Sequence, residues 1–101
     1  IRLEAIPVPG HTEGSMIFRM QKNGKFIVFA GDFLVVKGTC EDAQLGWNGG
    51  PDYDGEEYFQ SIKRVKDLEN DILLPGHGLP CMRKGRSLFN MLYKEALVNL
   101  R

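Results

Sequence analysis

Only two histidines occur in this 101-residue chain, and each follows a Pro-Gly pair: His11 in VPGHT and His77 in LPGHG. A third residue of the same chemical reach is Asp32, in FAGD, directly after an apolar run. Imidazole and carboxylate are ligands for zinc and related cations, and open metal sites are built at loop tips, where side chains leave the core. Proline ends a strand ladder, and glycine takes dihedrals that other residues avoid, so Pro-Gly suits a turn that presents its next residue outward. An acidic group beside an apolar strand must meet solvent, a cation or hydrogen-bond donors, because an unpaired buried carboxylate is too costly. For Asp32 taken alone, backbone N–H donors in a turn are as good an explanation as a metal.

The elements that must position these residues are legible in the hydrophobic pattern. IRLEAIPV, from Ile1, alternates loosely and reads as a strand ending near Pro7 to Gly10. SMIFRM and KFIVFAGD are strand-like runs on either side of Asn23-Gly24, the strongest hairpin signal in the chain. The second run is apolar from Phe26 to Ala30, as a strand covered on both faces would be. FLVV, Phe33 to Val36, reads as a further short strand or a strand-like loop. Lys37 to Tyr53 is polar and glycine-rich, a long connection of the kind that forms binding loops or lids. Its lone Trp47 reads as a loop anchor before a substrate platform. Asp54 with Glu57 forms a capping box, and Phe59, Ile62, Val65 and Leu68 continue at helical spacing toward Asn70. DILLPGHG is a short buried strand with a turn at its end. Leu88, Leu92, Ala96 and Leu100 mark a second helix.

Composition narrows the function classes. Thirteen basic and 13 acidic residues give a net charge of zero, which disfavours a broad nucleic-acid or anionic-membrane surface. The basic run MRKGR, Met82 to Arg86, reads as a solvated loop. Apolar runs are too short to span a membrane, and no signal peptide is expected. Cys40 and Cys81 lack C-x-x-C spacing, which excludes a zinc ribbon or thioredoxin-type motif. One disulfide is open to them, but two reduced thiols in a cytoplasmic protein are the simpler expectation.

Taken in order, VPGHTEGS, a hairpin, FAGD, a loop and helix, and LPGHG resemble the C-terminal half of the metallo-β-lactamase-fold hydrolases, which include glyoxalase II-like thioesterases, lactonases and nucleases. The resemblance covers nearly the whole of residues 1–101, read as a single domain. It implies an α+β fold, half of an αββα sandwich, with one mainly antiparallel sheet and two helices packed on one face. It implies a zinc pair as cofactor, with His11 on one metal, His77 on the other and Asp32 bridging them. Asp32 would also be the catalytic residue, orienting the attacking water. Paired cations polarise a carbonyl or phosphoryl group and supply hydroxide near neutral pH. The bond cleaved (ester, thioester, lactone or phosphodiester) does not follow from the fold.

The same resemblance sets an expectation of incompleteness. The H-x-H-x-D-H motif that supplies the family's other ligands has no counterpart among these residues. Weak or absent zinc binding is expected of the chain alone, and no spacing singles out Cys40, Cys81, Glu13 or Asp42 as a substitute ligand. Half a sandwich would also leave one sheet face bare. That face calls for a homodimer partner or an N-terminal half, the first in a non-catalytic structural or binding module and the second in a small-molecule hydrolase. Thiol chemistry at Cys40 or Cys81 ranks last.

Overall fold

The computed structural model describes residues 2–100. Its elements run β1 (Leu3–Pro7), β2 (Met16–Lys22), β3 (Lys25–Lys37), β4 (Asp42–Leu45), α1 (Gly55–Val65), β5 (Ile72–His77) and α2 (Gly85–Asn99). The strand start expected at Ile1 lies outside the described residues. Asn23 and Gly24 both adopt positive φ, 52° and 78°, as a two-residue hairpin turn requires, and Lys22 faces Lys25 across it. Strands β1, β2, β3 and β4 pair antiparallel in that order, while β5 lies parallel to β3, so the sheet of five strands is mainly antiparallel.

Two sequence expectations change at β3 and β4. FLVV is not a separate strand, because β3 continues unbroken to Lys37 through an irregularity at Gly31, whose φ is +53°. The pairing with β5 shifts register on both sides of Gly31, a bulge that re-aims the residues after it. The polar loop from Lys37 is also interrupted, since Asp42–Leu45 pairs with Leu34–Lys37 as β4. Four residues with one alternating pair of apolar side chains carry little strand signal of their own. The exposed edge of a long β3 supplies it.

Asp54 caps α1 as its sequence implies, accepting the Glu57 backbone N–H at 3.1 Å. The helix ends at Val65, earlier than the apolar spacing suggested, where the Asn90 amide from α2 donates to the Lys66 carbonyl at 2.7 Å. MRKGR is divided: Gly85 and Arg86 open α2, and only Met82–Lys84 is loop. Tyr58, Ile62 and Val65 of α1, with Leu88, Phe89, Leu92 and Ala96 of α2, bury against Ile17, Val28, Ala30 and Leu73 of the sheet. Both helices therefore cover one face.

The other face is apolar and open. Leu3, Ala5, Phe18, Met20, Ile27 and Phe29 fall there by register, and β5 adds Ile72 and Leu74 opposite Ile27 and Phe29. Leu3, Met16, Phe18 and Phe29 are 56, 42, 37 and 38% exposed. The expectation that Phe26 to Ala30 is covered on both faces therefore fails at Phe29.

Cys40 and Cys81 are joined in a disulfide, with Cα atoms 5.8 Å apart. This overturns the reduced-thiol expectation on which a cytoplasmic setting leaned. Cys81 is brought back beside β5 by reciprocal backbone bonds with Leu73, each 2.8 Å, and Cys40 follows β3, the strand β5 accompanies. Among the described residues no helix is long and apolar enough to cross a membrane.

Candidate metal centre

Strands β2 and β4 share one edge of β3 but leave Ala30–Phe33 unpaired between them. His11, on the turn between β1 and β2, sits over this gap, and β5 ends at His77 on the opposite edge, beside Val35. The bulge turns Asp32 outward between the two. His77 Nε2 lies 3.1 Å from Asp32 Oδ1, and both side chains are about two-thirds exposed, 65 and 64%. His11, Asp32 and His77 line one hollow of about 340 Å³, with Val35, Gly46 and Trp47 completing its wall.

Each Pro-Gly pair has its own reason. An added Cβ on Gly10, whose φ is +131°, would lie 2.1 Å from the Tyr58 backbone nitrogen, so only glycine lets the first turn dock on α1. The dock is hydrogen-bonded: Asp54 N–H donates to the Gly10 carbonyl at 2.7 Å, and the Ser61 hydroxyl donates to the Pro9 carbonyl at 2.7 Å. Gly76 does not need positive φ but close approach. Its Cβ would stand 2.7 Å from the Gly31 carbonyl and 2.9 Å from Asp32 Oδ1. Ser15, in PGHTEGS, serves the turn itself, its hydroxyl accepting the Thr12 N–H at 3.1 Å.

Tyr58 organises the site, and no motif pointed to it. Fully buried on α1, it donates to the Phe33 carbonyl in the unpaired stretch of β3 and accepts the Gly46 N–H at 3.0 Å. Its ring meets His11 edge-on at 5.9 Å, and Tyr53 packs on His11 at 6.4 Å from another side. Burial pushes the Tyr58 phenol up to about 12. Tyr53 thus pins its loop to the body, whereas Trp47, 74% exposed, is not the buried anchor its isolation suggested.

His11 Nδ1 is buried and has no hydrogen-bond partner, a donor site left for something these residues do not supply. Two imidazoles and a carboxylate suit zinc. Yet among the described residues no three metal-binding side chains close around a single point. Glu13 and Asp42 do not line the hollow, and Cys40 and Cys81 are consumed by their disulfide, which also removes the thiol-chemistry alternative.

No family model matches the chain. Among solved structures, a metallo-β-lactamase family protein, TTHA1429 from Thermus thermophilus, superposes at a TM-score of 0.69 with 24% identity, over 96% of this chain and 31% of that one. The chain has the metallo-β-lactamase fold. A B3 metallo-β-lactamase with an active-site glutamic acid matches at 0.57 with 24% identity, over 97% of this chain and 40% of that one. ETHE1 from Myxococcus xanthus matches at 0.55 with 20% identity, over 98% and 47%. The share of each fits half of the metallo-β-lactamase fold, the C-terminal half that the motif order implied. Curated relatives are the uncharacterized protein YobT of Bacillus subtilis, 37% identical over 81 residues, and the atrochrysone carboxyl ACP thioesterase of Aspergillus fumigatus, 32% over 76 residues. Each alignment takes in 75% of this chain, which spans only 34% of the first relative and 20% of the second.

Proposed function

We propose that this chain is the C-terminal, ligand-bearing half of a zinc-dependent hydrolase of the metallo-β-lactamase superfamily. The observation that carries the reading is the meeting of His11, Asp32 and His77 in one hollow, with the His11 Nδ1 atom buried and unpartnered. His11 and His77 would hold zinc, Asp32 would lie between them, and donors from outside these residues would complete the set. Zinc bound there would polarise the scissile carbonyl or phosphoryl group and acidify water. The chain's own part is to hold its ligands in place. Tyr58 and Tyr53 fix the His11 ring, the Gly31 bulge aims Asp32, and Asp32, 3.1 Å from His77 Nε2, would orient the water to be activated. The thioesterase relative favours an ester or thioester as substrate.

Zinc titration by calorimetry on the 101-residue chain tests the ligand set. Weak binding is expected, reduced by about tenfold or more in the His11→Ala, His77→Ala double variant. Identical heats in the two proteins would show that His11 and His77 hold no zinc without donors from outside these residues.

A second reading rests on the open sheet face. Exposed Leu3, Phe18 and Phe29 form a contiguous apolar surface of the kind that marks an interface. In a non-catalytic half-domain, a second copy would cover it and rebuild a four-layer sandwich. Sedimentation equilibrium separates the readings. Under the hydrolase reading, an N-terminal half from outside these residues is the natural cover and no discrete dimer forms. A stable dimer broken by Phe18→Glu would favour the half-domain module.

A further inference from the structure

The hollow that gathers His11, Asp32 and His77 also has an apolar wall, Val35 and Trp47, for which the metal chemistry has no use. Trp47 is 74% exposed, the most exposed aromatic side chain among the described residues, and a large apolar surface left in water has a cost that binding can recover. The indole packs on its own loop. An added Cβ on Gly49 would sit 2.1 Å from Trp47 Cζ2, so the ring lies against its own loop backbone. The loop is anchored on the near side by the Gly46 N–H bond to Tyr58. Gly46 in turn lies against His11, since its Cβ would approach the ring at 2.7 Å. One tether therefore sets the spacing between the ligand residue and the indole.

Trp47 belongs to the loop after β4 and to the hollow, whereas the open apolar sheet face is formed by β1, β2, β3 and β5. A few convergent polar groups beside an apolar wall, in about 340 Å³, are the makings of a small-molecule site.

We propose that Trp47 and Val35 form the binding surface for an apolar chain on a neutral carbonyl substrate, whose carbonyl end lies toward His11, Asp32 and His77. Resting on the hydrolase reading for the carbonyl end, the assignment favours esters or thioesters of apolar acids over those of acetate size. Trp47 is the sole tryptophan in the chain, so its emission reports on this wall and nowhere else. The test titrates the 101-residue chain with hexanamide and with acetamide, neutral carbonyl probes that differ in chain length.

Hexanamide is expected to shift the Trp47 emission to the blue with saturation, and acetamide at equal concentration to leave it in place. Trp47→Ala, at an exposed position that leaves the core intact, is expected to weaken calorimetric binding of hexanamide by about tenfold. An unmoved emission overturns the assignment, as does equal binding by the variant. Binding with unmoved emission would place hexanamide on the open sheet face. The zinc titration stands apart from this result: an emission shift without zinc binding keeps the apolar wall and removes His11 and His77 as zinc ligands of this chain by itself. Zinc binding without a shift does the reverse.

Discussion

Gly10→Ala is expected to destabilise the protein by roughly 4 kcal/mol, combining backbone strain with overpacking. Gly10 has a φ of +131°, and its added Cβ would stand 2.1 Å from the Tyr58 nitrogen and 2.2 Å from its Cα. The clash is with helix backbone, which cannot move aside as a side chain would. Relief requires lifting the turn off α1, which breaks the Asp54 and Ser61 bonds to it and carries His11 away from Tyr58. Urea denaturation measures the loss directly. Gly14 is the control, because it lies in the same turn with nothing within 4 Å of its Cβ position. Gly14→Ala should change stability by less than about 0.5 kcal/mol. Equal effects at the two positions would mean that the turn is not seated on α1 as described.

Tyr58→Phe removes a single oxygen and is expected to cost about 2 kcal/mol, leaving the Phe33 carbonyl and the Gly46 N–H without their partner. In a domain of this size the melting temperature should fall by about 10 °C. The phenol also gives the effect a pH signature. Its folded value of about 12 lies above the ordinary 10, so the unfolded chain loses its proton first as pH rises. The stabilisation tied to the neutral phenol is complete below pH 10 and is lost as pH climbs toward 12. It amounts to at most about 3 kcal/mol. Urea melts at pH 8 and pH 11 should show the wild type losing more stability than Tyr58→Phe over that interval. Parallel losses would show that the hydroxyl is not held where Phe33 and Gly46 meet it. Amide exchange at Gly46 should quicken in the variant, since this bond tethers the Trp47 loop to the site.

The signals readable along the chain are local. Asn23-Gly24 specified its hairpin, Asp54 its cap, and the apolar spacing of Leu88, Leu92 and Ala96 the second helix, because each signal acts within a few residues. The order of the PGH, GD and PGH motifs was sufficient to indicate the fold, and both glycines before histidine proved to be steric requirements.

Other features depend on residues that folding brings together. Asp42–Leu45 is a strand because β3 offers it an edge, and Asp32 points outward because β5 shifts register at Gly31. The Cys40–Cys81 disulfide closes over 41 positions of chain, a proximity that depends on β3 running alongside β5. Tyr58 carries no motif, since a buried aromatic at helical spacing looks like any other core residue. Its hydroxyl gains its role only when the unpaired Phe33 carbonyl and the Gly46 amide are folded against it. Hydrogen bonds and contacts between residues distant in sequence leave no local pattern, so the ligand candidates were legible and the framework that holds them was not.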